Sequence, residues 1–207
     1  MTEISTILWD VGGVLLTNGW DHGGRIDVLA RFNLDPAEFE ERHPDANDAW
    51  EKGLIPVDEY LDRTVFWKPR SFSPEEFFEA MKAESRVLDN TALGILENMS
   101  MSQDVDLGML NNEARELNNY RIETFGLRAY FDFFFSSCYV GYRKPAPQIY
   151  SVALDVLQCE PEEVAFIDDR PANVQAAASL GIHAIRYQGP AQLERELASL
   201  GITAEVA

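Results

Sequence analysis

Five short apolar runs recur along this chain, at Ile4–Trp9, Val105–Leu110, Phe133–Ser137, Val164–Ile167 and Ile182–Ile185, and most are followed by a segment of helical periodicity. A run that is apolar throughout must be covered on both faces, and strands alternating with helices place those covers as crossovers of a mostly parallel sheet. The segments Asn112–Phe125, Ala146–Leu157, Pro171–Leu180 and Ala191–Leu200 are the expected crossover helices. Pro145, Pro171 and Pro190 stand at or near their starts, where a missing N–H costs least. Gly126, Gly181 and Gly201 follow three of them, where helices commonly end. The expected fold class is therefore α/β, a doubly wound, mostly parallel, Rossmann-like sheet.

One stretch breaks the alternation. From about Thr17 to Val87 the chain offers amphipathic helix patterns, Arg25–Phe32, Pro36–Arg42, Pro56–Phe66 and Pro74–Ala83, and no apolar strand. The linker-like ends are Leu16–Gly24, which holds Gly19, Gly23 and Gly24, and the segment near Arg86–Asn90. The expected division is a core of residues 1–16 and 88–207 with a helical cap, 17–87, inserted after the first strand. Such an insertion over the carboxyl end of a sheet can exclude water and touch substrate. Trp50 and Trp67 are expected in the cap core.

The first run ends at Asp10, followed by Gly12 and Gly13, and the fourth ends in Asp168-Asp169. In open α/β sheets ligands collect beyond the carboxyl ends of the strands, so neighbouring strands would bring these acids together. Carboxylates about 4 Å apart repel by about 4 kcal/mol per pair at an effective dielectric near 20, so the cluster calls for protons or a cation. An all-oxygen ligand set of this kind suits Mg²⁺, which takes one or two carboxylates together with water and substrate phosphate.

Composition limits the partners. The formal net charge of −18 disfavours nucleic acid, whose binding needs lysine and arginine to displace counterions. A small anionic substrate is compatible if metal and a few basic groups offset the local field. No apolar stretch reaches the length of a membrane span, and the apolar run near the N-terminus, broken by Asp10, does not read as a signal peptide. Cys138 and Cys159 are too few for a disulfide framework and have no ligand spacing, which fits reduced thiols and a cytoplasmic location. His22, His43 and His183 form no ligand pattern, and His183, inside the last apolar run, reads as structural. The oligomeric state is not legible.

Four separated segments carry a resemblance to the haloacid dehalogenase superfamily of hydrolases, and it covers nearly the whole chain. Ile7-Leu8-Trp9-Asp10-Val11-Gly12-Gly13-Val14 is similar to the family's first motif, with Asp10 at the nucleophile. Leu107-Gly108-Met109-Leu110-Asn111-Asn112 places Asn111 where the family usually has serine or threonine. Gly141-Tyr142-Arg143-Lys144-Pro145 aligns Lys144 with the family lysine, and Phe166-Ile167-Asp168-Asp169-Arg170-Pro171-Ala172-Asn173 resembles the metal-binding motif. The second aspartate that such phosphatases commonly carry two residues after the nucleophile is here Gly12, a departure shared with a branch resembling alpha-D-glucose-1-phosphate phosphatases.

The resemblance implies a Mg²⁺-dependent phosphatase that hydrolyses a small phosphomonoester, a sugar phosphate for instance, through an aspartyl phosphate. It assigns catalysis to Asp10, Lys144 and Asn111, and metal binding to Asp10, the Gly12 carbonyl, Asp168 and Asp169. Substrate contacts would come from Asn111, Asn112 and Lys144, with Trp20 and His22 of the linker as further candidates beside Asp21. Asn173 would orient the metal loop or cap its helix. Two alternatives stand beside this reading: a metal-independent 2-haloacid dehalogenase, disfavoured by the added charge of Asp168 and Asp169, and a catalytically silent binding protein, for which Gly12 and Asn111 speak.

Overall fold

A computed structural model describes residues 3–102 and 104–202. Five parallel strands form one sheet in the order β3-β2-β1-β4-β5, with β1 at Thr6–Trp9, β2 at Asp106–Asn111, β3 at Phe133–Ser136, β4 at Val164–Asp168 and β5 at His183–Arg186. β1 is central because every residue in it is buried, so it must be flanked in the sheet and covered on both faces. Ile7 and Trp9 face one core cluster and Leu8 the other. The strand order reverses between β1 and β4, and a crevice at such a point is where this architecture places ligands.

The strands are shifted by a residue or so from the expected runs. The four expected helices after β2 agree in place, α6 at Arg115–Thr124, α8 at Pro147–Leu157, α9 at Pro171–Ser179 and α10 at Pro190–Ser199, and a single-turn α7 at Ser137–Val140, to which the sequence reading assigns no helix, is added after β3. Pro147, not Pro145, occupies the first turn of α8. Before β2 lies α5, Leu93–Ser102, to which the sequence reading assigns nothing; its apolar stripe Ile95, Leu96 and Met99 docks on the core cluster beside Trp9. His183 proves to be exposed, because β5 is an edge strand.

Four helices form between β1 and α5: α1 at His22–Arg31, α2 at Pro36–Glu51, α3 at Val57–Thr64 and α4 at Pro74–Ala83. They bury their own aromatic cluster, built on Trp20, Phe39, Trp50, Tyr60 and Phe77, to which Ala114 and Leu117 of the α6 segment are added. α2 continues nine residues past the expected end at Arg42 and through Pro44. An interior proline normally ends a helix. Here Phe39, His43, Ala46 and Trp50 line up at spacings of four, three and four, and burying that stripe holds the segment helical. Trp67 departs from expectation. It is 42% exposed and lies outside the cluster, with the Arg42 guanidinium 4.1 Å and the Lys68 ammonium 4.5 Å from its ring centre.

Candidate active site

The end of β1 and the end of β4 meet as the sheet register requires. Trp9 pairs with Ile167, and the Asp10 N–H donates to the Ile167 carbonyl at 2.8 Å, so Asp10 and Asp168 leave adjacent strands side by side. Asp10, Asp168 and Asp169 each offer a carboxylate oxygen within 4.8 Å of the others. Lys144, buried, spans two of them, its Nζ 2.9 Å from Asp10 Oδ1 and 2.7 Å from Asp168 Oδ2, and donates also to the Leu110 carbonyl at 2.8 Å.

The electrostatics follow from this packing. Burial pushes the Asp10 carboxyl up to about 7; Lys144 opposes that shift, and Asp168 and Asp169 add to it. Burial and the neighbouring Asp168 also raise Asp169. Burial works against the charge on Lys144, yet Asp10 and Asp168 outweigh it and hold the ammonium protonated above its ordinary range. One ammonium faces three acids, so the cluster has room for further positive charge.

The two adjacent aspartates are not equivalent. Asp168 is saturated: Oδ1 accepts from the Arg170 N–H at 2.8 Å and Oδ2 from Lys144, while the Asn173 amide donates to both oxygens at 3.0 Å. Asp169 Oδ1, by contrast, is buried with no hydrogen-bond partner. A buried carboxylate oxygen without a donor is costly unless a cation takes it. That orphan, beside an excess of negative charge and an all-oxygen donor set, fits Mg²⁺. Gly13 shows how tight the floor is: at φ +76, a Cβ there would stand 2.3 Å from Asp169 Oδ2.

Above the floor lies a cavity of about 400 Å³ between sheet and helical insertion. Asp10, Gly12, Asn112, Lys144, Arg170 and Asn173 form its base, while Asn18, Trp20, Asp21, His22, Arg25, Asn47, Trp50 and Glu51 come from the linker and helices above. A buried ion pair, Arg121 Nη1 to Glu113 Oε2 at 2.7 Å, closes one side.

Most expected residues gather here, with departures at Asn111, Asn112 and Trp20. Asn111 does not line the cavity: its amide donates to Asn118 Oδ1 at 3.0 Å and so points to α6 rather than to a ligand. Asn112 reaches the cavity, but its side chain is spent on the Lys144 backbone, accepting from the N–H at 2.8 Å and donating to the carbonyl at 2.9 Å. It fixes the lysine instead of standing free for substrate. Trp20 is likewise committed, donating from Nε1 to the Tyr60 hydroxyl at 2.7 Å, while the His22 side chain is largely exposed at the cavity mouth. Sequence reasoning misses Asn18, Arg25, Asn47, Glu51, Glu113 and Arg121. The only signal for Glu113 is its place just past a strand end; for Arg121, eight residues on, there is none.

Comparison with known proteins agrees with this geometry. A model of the haloacid dehalogenase-like hydrolases matches residues 4–181. The chain is 32% identical over 181 residues to flavin mononucleotide hydrolase 1 of Arabidopsis thaliana, a chloroplast protein by its name, covering 87% of this chain and 72% of that one. In fold it resembles the Bacteroides thetaiotaomicron HAD family enzyme bt-2542 with a TM-score of 0.78 at 22% identity, over 91% of this chain and 95% of that one. The same enzyme has been solved in complex with magnesium and inorganic phosphate. The defluorinating L-2-haloacid dehalogenase Rha0230 is also similar, with a TM-score of 0.63 at 21% identity over 90% of this chain and 82% of that one. Among the described residues no helix is long and apolar enough to cross a membrane. By the family match and the plant relative, this chain belongs to the haloacid dehalogenase-like hydrolases.

Proposed function

We propose that the protein is a Mg²⁺-dependent phosphatase of small phosphomonoesters that works through an aspartyl phosphate on Asp10. The observation that carries this reading is the meeting of Asp10, Asp168 and Asp169 within 4.8 Å around a single buried lysine, with one Asp169 oxygen left without a donor. The plant relative, named as a flavin mononucleotide hydrolase, and the magnesium and phosphate complex of the Bacteroides protein support it.

In this reading the Asp10 carboxylate attacks phosphorus, the ester P–O bond breaks, and water later hydrolyses the acyl phosphate. Lys144, already held between Asp10 and Asp168, offsets charge on the transferring group without reorganising. Asn112 keeps it there by clamping its backbone. Asp10, Asp169 and the Gly12 carbonyl would hold Mg²⁺ directly, and Asp168, its oxygens already engaged by Lys144, Asn173 and Arg170, would brace the set. When bound, the ion supplies neutralisation and orientation of the phosphoryl oxygens. The polar cavity of about 400 Å³ fits a small phosphorylated metabolite.

Phosphate release from an aryl phosphate in Mg²⁺, abolished by EDTA and by Asp10→Asn, tests the reading. Chloride release from a 2-haloacid without metal would replace it with the dehalogenase, and inactivity in both assays with a silent fold.

A further inference from the structure

The linker that leaves β1 for the helical insertion brings one polar side chain back onto the floor. A Cβ built on Gly12 would stand 2.8 Å from Asn18 Oδ1 and 3.4 Å from the Asn18 Cα, so the Asn18 carboxamide already fills the space beside Asp10 that any side chain at position 12 would need. The same side chain lies near Asp169, where burial and Asp168 push the carboxyl up and Arg170, Lys144 and Asn18 oppose them. Its placement is enforced on both sides. Thr17 donates its N–H to the Arg86 carbonyl at 2.8 Å and accepts on its own carbonyl from Arg121, while Gly19, at φ +61, turns the chain away where a Cβ would crowd Ser85 Oγ at 3.4 Å.

Resting on the phosphatase reading above, we propose that Asn18 occupies the space over Gly12 with a group that cannot give up a proton. The enzyme is thereby selective for esters whose leaving oxygen is weakly basic. The electron pair of the cleaved P–O bond departs on that oxygen, which takes its proton from water rather than from the floor of the site. A carboxamide is neither acid nor base at neutral pH, so it can orient but not protonate.

Substituted phenyl phosphates of similar size, whose phenols differ in acidity, read this directly. kcat/KM covers cleavage of the P–O bond, and it is expected to fall by about 10²-fold or more from 4-nitrophenyl to phenyl phosphate, the span of missing acid catalysis. Asn18→Asp puts a carboxyl in the same space and is expected to flatten the series to within about 10-fold. Because a fourth acid on the floor can unfold the site, the double variant Gly12→Asp with Asn18→Ala makes the same test with the room exchanged. A flat series in the wild-type protein overturns the proposal, as does a steep one in both acid-bearing variants.

If no ester is hydrolysed by any variant, the phosphatase reading fails and the selectivity falls with it, whereas a flat series in an active wild-type protein removes the selectivity alone.

Discussion

At the floor of the site, charge is concentrated and packing is subordinate: Asp10, Lys144 and Asp168 are buried together, their places set by the ends of β1 and β4 and by the Asn112 and Asn173 amides. The helical insertion above reverses that balance. Its interior is an aromatic cluster with one short polar chain, Trp20 to Tyr60 to His43, and its charged groups sit on the face toward the cavity or in solvent. The floor therefore stores unfavourable electrostatics that stability elsewhere must offset, whereas the insertion stores apolar burial. Changes on the floor should damage chemistry more than folding, and changes in the insertion the reverse.

Asp10→Asn is the strongest way to break that contrast. Removing the proposed nucleophile while easing the repulsion among three acids should lower phosphate release by about 10⁴-fold or more and leave thermal stability equal or higher. A variant that unfolds instead would mean the carboxylates hold the floor together. Lys144→Ala comes next, with an expected loss of about 10²- to 10³-fold in kcat, the scale for one preorganised charge partner. Because Asp10 and Asp168 then face each other without their ammonium, this variant should also be less stable, and added Mg²⁺ should restore part of the loss.

The same contrast explains what the sequence could disclose. The strand runs, the position of the insertion and the three acids are local patterns: a fully apolar run reads as a buried strand, and an acid at its end points to the ligand edge. Asn18, Glu113 and Arg121 are not local. Their meaning depends on a linker folding back over Gly12 and on a helix bringing residue 121 to residues 17 and 113. Asn111 and Asn112 show the converse limit, since the motif marks the segment but not which amide turns inward to Asn118 and which grips Lys144. Trp67 fails for a third reason: a tryptophan inside an amphipathic pattern looks like core, yet it is spent between Arg42 and Lys68 at the surface.

Acid should loosen the insertion before the floor. The Trp20 indole can only donate, so the Tyr60 hydroxyl accepts from it and keeps its own hydrogen available for His43 Nδ1, 2.9 Å away, an arrangement that suits the neutral imidazole. Burial in the cluster, reinforced by Arg25, lowers His43 to about 4 from an ordinary 6.5. The folded state thus binds this proton more weakly than the unfolded chain does. The stability it contributes is present above pH 6.5 and is lost as pH falls toward 4, by about 2 to 4 kcal/mol. Denaturant midpoints measured across that window should slope, and His43→Gln should flatten the slope. An unchanged slope would place the acid sensitivity elsewhere.

The smallest expected effect lies where the two regions join. Glu116 on α6 accepts from Trp50 Nε1 at 2.9 Å and from the Val57 N–H at 3.0 Å, so one carboxylate of the core holds an indole of the insertion and caps the first turn of α3. Arg143, next to Lys144, makes a parallel tie to Asp48 and Glu51 at the end of α2. Glu116→Ala leaves two donors without an acceptor, at about 1 to 3 kcal/mol, while touching nothing on the floor. The expected result is a lower melting temperature and a raised KM with kcat nearly unchanged, because Trp50 lines the cavity and Asp10 is left as it was. If kcat falls as far as in Lys144→Ala, the chemistry depends on how the insertion is seated, and floor and insertion act as one unit.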